Sequence, residues 1–301
     1  MLKVVKTLED ANCITHAGTF HADDVFSSAF LEMLVGDVFI YRTSNIDLNQ
    51  IKESTYVYDI GRGKFDHHQK DALKRENGIP YCSFGLLWKE YGKNYLKRCG
   101  IELSDRVFEI IDKDLVEGID ADDNGVFPKI EANFKVKMVP GIIKSFNPSY
   151  QTDQDESLQF EKACALAKTI LEEEIYYCNG KALAEEQVLD LLDDIDENDK
   201  YLVLPNYLPY EETILAEEKG KNILFVAYPS NRGGYAIKTV PKSAEDKSNR
   251  MDFPAEWAGL EGDVLANASG IQGLTFCHAT RFIVSCKDLD TVYEVFSKIL
   301  N

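Results

Sequence analysis

No stretch of some 18 uncharged apolar residues occurs in the chain, so no membrane-spanning helix is predicted. A Cys-x-x-Cys pair is also absent. The seven cysteines, at positions 13, 82, 99, 164, 178, 277 and 286, are odd in number and widely scattered. That fits neither a disulfide framework nor a zinc finger, and they read as small core residues in a reducing compartment. The first ten residues mix lysine with acid and lack an apolar run, so no signal peptide is predicted and the expected location is cytoplasmic. Basic charge is scarce: 33 Lys and Arg face 51 Asp and Glu, a net charge of −18 with the five histidines neutral. A basic track for long duplex nucleic acid is thereby excluded, as is adhesion to an anionic membrane. The shortage is uneven, with net −4 over residues 1–150 and −14 over residues 151–301. Runs such as Glu172-Glu173-Glu174 and the acidic stretch from Asp190 to Asp199 read as solvated faces, which leaves room for an anionic substrate at a local site.

With 301 residues, 45% apolar and 28% charged, the chain is a folded globular protein with material for about two domains. Strands are predicted at 11–15, 38–42 and 54–60. They alternate with a helix starting near Asp23 and with helices for which Ser83 and Ser104 are plausible N-caps. Such alternation points to an α/β fold with a mainly parallel sheet flanked by helices over residues 1–148. Residues 149–200 read as a helical connector of two helices separated at Asn179-Gly180. Residues 201–301 read as an α+β domain. It has a hairpin around Ser230-Asn-Arg232-Gly-Gly234, strands at 275–279 and 282–285, and a closing helix over 288–300 that turns Val292, Val295, Phe296 and Ile299 inward.

Histidine placement carries the functional signal. Four of the five lie in the first 68 residues, in His16-Ala-Gly-Thr-Phe-His21-Ala-Asp23-Asp24 and Asp66-His67-His68, with Asp59 between the clusters. Each cluster follows an apolar strand, and in open α/β sheets the carboxyl ends of strands converge on one crevice. Downstream, Gly118-Ile-Asp120-Ala-Asp122-Asp123-Asn-Gly125 adds carboxylates without the spacing of a calcium loop. Imidazole plus carboxylate, without thiolate, suits Mn²⁺, Co²⁺, Fe²⁺ or Zn²⁺. The groups suffice for two ions sharing a bridging carboxylate, a centre that activates water and clamps a phosphoryl group. Each cluster also has a plainer reading: Asp23 or Asp24 as a helix cap, His67-His68 as turn residues, Asp120 to Asp123 as an acidic turn. Their concurrence in one domain favours the metal site.

These motifs resemble the DHH phosphoesterase superfamily, and within it the MYG family of metal-dependent hydrolases. The resemblance rests on Thr15-His-x-Gly-x-Phe-His-x-Asp-Asp24, Arg42-Thr43, Phe65-Asp-His-His-Gln69 (with Phe where Tyr is usual) and Ile119-Asp-Ala-x-Asp-Asn-Gly125. It continues with Trp257-x-Gly259-Leu260 and Phe276-x-His278-Ala279. It implies metal ligation by His16, His21, Asp23, Asp59 and His67, with Asp59 bridging two divalent ions, Mn²⁺ foremost and Co²⁺, Mg²⁺, Fe²⁺ or Zn²⁺ as alternatives. Asp120 or Asp123 would complete the set, and sequence does not separate them. His68 would touch the substrate phosphate, and Asp66 would orient its neighbours, making these two the catalytic candidates. Taken alone His278 is a structural histidine on a strand; the resemblance gives it a substrate contact. Thr280-Arg281 stand where the family has Ser-Gly, so Arg281 is either an added phosphate clamp or a change in the loop. Arg232 is a second candidate anion contact or an exposed turn residue.

The implied function is hydrolysis of phosphodiester bonds in short single-stranded RNA or nucleotides by two metals, as in a 3′–5′ exoribonuclease. Two other readings are a phosphoanhydride hydrolase acting on pyrophosphate or polyphosphate, and a nucleotide-binding regulator without turnover. Neither a membrane nor a long duplex is an expected partner, and the oligomeric state is left open.

Overall fold

The computed structural model of the chain describes residues 1–300. The chain divides into two compact units, Met1–Gly180 and Lys181–Asn301. In the first, four strands, β1 (Leu2–Val5), β2 (Cys13–His16), β3 (Val38–Thr43) and β4 (Tyr56–Val57), form a wholly parallel sheet in the order β1-β3-β2-β4. Helix α1 (Ala22–Val35) connects β2 to β3. Strand β2 is interior, and its Cys13 and Ile14 are fully buried, as a parallel strand covered on both faces requires. Its register pairs Cys13 with Tyr56 and Ile14 with Val57. Carried two residues on, the same register brings His16 level with Asp59 at the carboxyl edge. Strand β1 lies outside the sequence reading because Leu2-Lys-Val-Val5 offers no apolar run. Its edge is tied down by Glu161, which accepts from Val4 N at 2.9 Å and pairs with Lys3 at 3.0 Å.

Helix α2 (Ser83–Arg98) is followed by a helical run made of α3 (Ser104–Ile111), a π-helical segment at Asp112–Val116, and α4 (Glu117–Asp123). Aromatic side chains of α1, α2 and α3 meet. Phe26 and Phe84 rings lie 5.4 Å apart, Phe30 and Trp88 5.3 Å, and Trp88 stacks on Phe108 at 5.5 Å. Such pairs add about 0.5–1.5 kcal/mol each beyond the area they bury. The expected serine caps are displaced by one residue: Ser83 and Ser104 begin their helices, with Cys82 and Leu103 at the cap positions and no capping side chain of their own. At α2 that task passes to a carboxylate from α1, described below. Helix α5 (Val139–Lys144) packs on α1 and α4.

The connector differs from the sequence expectation. Helix α6 (Glu156–Asp193) is one continuous helix of 38 residues that runs straight through Asn179-Gly180. A glycine in a helix interior costs about 1 kcal/mol relative to alanine. Here the buried stripe continues across it, through Phe160, Cys164, Ala167, Leu171, Ile175, Cys178 and Ala182 to Val188 and Leu192. Gly180 itself faces outward, so packing on the opposite face outweighs the local preference to break.

The second unit contains β5 (Tyr201–Val203), α7 (Glu211–Ala216), β6 (Phe225–Pro229), β7 (Tyr235–Thr239), α8 (Gly262–Ser269), β8 (Leu274–Cys277), β9 (Ile283–Cys286) and α9 (Leu289–Leu300). Its sheet has the order β5-β6-β7-β9-β8 and is parallel only at β5–β6. The β6–β7 hairpin closes through Ser230 N donating to Gly234 O, and Gly233 N to Ser230 O. Val292, Val295 and Phe296 of α9 are buried, with Ile299 packed at the margin of the same core. The architecture is thus α/β, a parallel sheet with helices followed by a mixed-sheet unit. Among the described residues no helix is long and apolar enough to cross a membrane.

Candidate metal centre

Five chain segments deliver side chains to the carboxyl edge of the parallel sheet. The end of β2 supplies His16. Just past β4 comes Asp59, which holds a left-handed backbone (φ 56°) without being glycine; such strain persists only where its surroundings enforce it. Asp59 N donates to Phe65 O at 3.0 Å, closing the loop that leads into the next motif. There Asp66 accepts from Arg62 N at 2.5 Å and from His68 N at 3.1 Å, so its carboxylate folds the Asp66-His67-His68 turn around itself. The start of α1 supplies Asp23 and Asp24, and the last residue of α4 is Asp123.

The two adjacent aspartates of α1 have different tasks. Asp24 accepts from His21 N at 2.8 Å through one oxygen, which caps α1, and turns the other toward His16. Asp23 reaches across to α2, where its oxygens accept from Ser83 N at 3.2 Å and Phe84 N at 2.6 Å. The free donors at the start of α2 thereby receive two carboxyl oxygens, which satisfies N–H groups that have no partner within the helix.

Asp59 stands at the middle. Its Oδ2 is 3.1 Å from His16 Nε2, and Asp24 Oδ2 is 3.3 Å from that same nitrogen. Its Oδ1 is 3.3 Å from His67 Nε2, which lies 3.2 Å from Asp123 Oδ2 and 3.7 Å from Asp23 Oδ2. One carboxylate thus presents an oxygen to each of two imidazole–carboxylate groups. Ligand atoms of His16, Asp24 and Asp59 lie within 4.8 Å of one another, as do those of Asp23, His67 and Asp123. A third such group is Asp59, His67 and His68. Although these distances are short, His16 Nε2, His67 Nε2 and Asp24 Oδ2 are buried without an aligned hydrogen bond. Buried polar atoms are seldom left so. Three converging on one place, all of nitrogen or oxygen type, fit divalent cations.

The electrostatics agree. Burial pushes Asp24 up to about 7 and Asp23 well above the carboxylate range, the latter also under repulsion from Asp59 and Asp123. Asp123 is raised by burial as well. Burial opposes charge on His16 and His67, yet the carboxylates around them, Asp59 first, outweigh it and raise both to about 9. Burial would lift Asp59 too, but these imidazolium groups hold it down at about 2. Without a cation, protons balance the cluster. A cation would displace them, as deprotonated ligands require.

The remaining candidates fall in several places. His68, 59% exposed, sits at the mouth with Nδ1 2.7 Å from Asp66 Oδ1 and 3.7 Å from Asp59 Oδ1. His21 is exposed and outside these groups, its ring 5.8 Å from that of His16. Asp120 is fully buried but faces away from them. Its Oδ1 accepts from Cys82 N at 3.0 Å and Cys82 Sγ at 2.8 Å, and its Oδ2 from Arg75 Nη2 at 2.6 Å. Arg75 also pairs with Asp112, and Asp120 is raised to about 6 by burial, against the pull of Cys82 and Arg75. In the second unit, His278 Nδ1 is 2.8 Å from Thr280 Oγ1. Arg281 takes φ 60°, the conformation that a glycine in its place would adopt freely, and its guanidinium is 2.7 Å from Asp252. Arg232 is exposed in the β6–β7 turn.

Asp24, Arg42, Arg75 and Cys82 matter here without having been assigned a site role from sequence. The Asp23-Asp24 doublet was the available signal for Asp24. The Arg42-Thr43 motif was the signal for Arg42, which donates to the backbone oxygens of His16 and Gly18 and pairs with Glu156 at 2.6 Å. Arg75 and Cys82 carried no local signal.

Fold and site together define an α/β protein whose buried imidazole and carboxylate groups could hold metal ions. A family model labelled MYG1_exonuc and described as an uncharacterised protein family (UPF0160) matches residues 12–300, and the chain belongs to that family. It is 30% identical to the MYG1 protein YER156C of Saccharomyces cerevisiae, with 93% of each chain covered. It is 28% identical to the MYG1 exonuclease of Homo sapiens, covering 89% of this chain and 80% of that one. It is also 28% identical to the MYG1 protein of Chlamydia trachomatis, with 95% of each covered. No solved structure gives a significant match.

Proposed function

We propose that the protein is a metal-dependent phosphodiesterase of the DHH type, an exonuclease that removes nucleotides from the 3′ end of short single-stranded RNA. The observation that carries this reading is Asp59, with one oxygen toward His16 and Asp24 and the other toward His67 and Asp123. It is supported by the name exonuclease borne by several relatives.

His16, Asp24 and Asp59 would hold one divalent ion, and Asp23, Asp59, His67 and Asp123 the other, with Mn²⁺ the ion expected. Two such ions supply an activated water and neutralise the charge that develops on a phosphoryl group. The protein's own contribution is positional. Asp59 fixes the spacing of the two sets, and Arg42 holds the His16–Gly18 backbone beside one of them. Asp66, its oxygens already engaged by Arg62 N and His68 N, holds the His68 ring at the mouth by its Nδ1. The other edge of that ring is left toward a substrate phosphate. Asp120 is assigned to the Arg75 contact and not to metal. Roles for His21 and His278 rest on the sequence resemblance alone, and those for Arg281 and Arg232 on their charge and loop position.

The test is incubation of purified protein with Mn²⁺ and short RNAs labelled at either end, beside pyrophosphate and polyphosphate. Stepwise shortening from the 3′ end, abolished in Asp59→Ala, is expected. No product from any oligonucleotide, or identical behaviour of Asp59→Ala, would falsify the reading.

A further inference from the structure

Two residues beyond Asp123 the chain enters a segment with an unusual surface. Every residue from Gly125 to Lys137 is exposed. Among them are Val126, Phe127, Ile130, Phe134 and Val136, with Phe127 at 66% and Phe134 at 71%. Single exposed apolar residues are ordinary, but so many in one short segment mark an interaction surface. The segment is also basic in an acidic protein: Lys129, Lys135 and Lys137 against the single acid Glu131.

Both ends are fastened to the metal centre's own scaffold. At one end Val126 N donates to Ala121 O at 2.8 Å, within the helix that carries Asp123. At the other, α5 packs on α1 and α4, and Asn147 exchanges two hydrogen bonds with the backbone of Phe20, at 2.9 and 2.8 Å. Phe20 lies between His16 and His21. Phe127 is four residues from Asp123, at most about 14 Å along the chain.

We propose that this segment is a holding surface for single-stranded nucleic acid, with bases stacking on Phe127 and Phe134 and phosphates meeting Lys129 and Lys135. The proposal rests on the exonuclease reading for its substrate class. Lysines alternating with exposed aromatic rings are what a strand of any sequence needs, since every base has a stacking face and every linkage a charge. A two-fold contact between copies of the chain is less well served, because it would set this basic segment against itself.

The experiment measures fluorescence anisotropy of a labelled oligoadenylate decamer and of a dinucleotide in EDTA, over 50–200 mM salt. It then measures KM for both with Mn²⁺. Phe127→Ala/Phe134→Ala should weaken decamer binding by about tenfold or more, and bring its KM close to that of the dinucleotide. Phe127→Trp/Phe134→Trp should retain decamer binding, which separates loss of stacking from loss of fold. Lys129→Ala/Lys135→Ala should flatten the salt dependence by about 1.4 in log–log slope, at roughly 0.7 per phosphate contact. Decamer affinity within twofold of wild type in the double alanine variant overturns the proposal. So does a wild-type dimer that this variant makes monomeric without change in RNA binding. Wild type that binds the decamer through these residues but releases no product keeps the surface and refutes the hydrolase. Product release with unaltered affinity in both alanine variants does the reverse.

Discussion

Replacing Arg75 with methionine removes a buried cation and keeps most of its apolar stem. The Arg75 side chain is 7% exposed and that of Asp120 is fully buried. The Arg75 guanidinium joins Asp112, the first residue of the π-helical segment, to Asp120 in α4. Breaking a buried pair by removing one partner costs about 3–5 kcal/mol, because the other charge is left without a partner. For a unit of this size each kcal/mol lowers the melting temperature by about 2–4 °C, so a drop of roughly 6–20 °C is expected at pH 8. Asp120 sets the pH dependence. Its folded pKa of about 6 lies above the ordinary 3.8 even with Arg75 present. The folded state therefore binds the proton more tightly than the unfolded one, and Asp120's contribution to stability falls as pH rises through that interval. Without Arg75 the ionised form is penalised further. The deficit of the variant should be smallest near pH 5, where Asp120 can be neutral, and largest at pH 8. Thermal melts of metal-free wild type and Arg75→Met at the two pH values provide the assay. A fall of less than about 3 °C at pH 8, or a larger deficit at pH 5, would show that Arg75 does not offset the buried charge of Asp120.

Further outcomes follow from the same packing. A Cβ on Gly85 would lie 2.3 Å from both oxygens of Asp120, so Gly85→Ala should lower stability by about 1–3 kcal/mol despite alanine's better helix propensity. A rise in melting temperature would show that the carboxylate does not lie against α2. Gly180→Ala, at an exposed position inside α6, should stabilise by about 0.5–1 kcal/mol in urea unfolding; destabilisation would argue for a break there. His68→Ala should leave metal content intact and lower kcat by about 100-fold or more, as loss of a group acting on the developing charge does. An unchanged kcat would remove His68 from the chemistry.

Much of the centre was legible because strand ends and histidines are both marked in the sequence. His16 and Asp59 each stand at the end of a short apolar strand, which a parallel sheet brings together, and His67 follows Asp59 by a short closed loop. Adjacent residues on a helix were harder to read. Asp23 and Asp24 differ by about 100° around α1, and both face functional partners only because α2 begins on one side and His16 sits on the other. Asp120 and Asp123, three residues apart, point one to Arg75 and one to His67. The π-helical segment upstream shifts the phase of everything after it, and no spacing rule announces that. Arg75 lay in a stretch without a motif, and its two carboxylate partners are 37 and 45 residues away. The misplaced break at Asn179-Gly180 has the opposite cause, a strong local signal overridden by the buried stripe on the far side of the helix.

If Asp59 is a carboxylate shared by two metal positions, metal stoichiometry shows it. Equilibrium dialysis against Mn²⁺ followed by metal analysis should find two ions per chain in wild type. One should remain in Asp123→Asn, and fewer than one in Asp59→Ala at the same free Mn²⁺. A single ion or none in wild type, or two retained in Asp59→Ala, would contradict it.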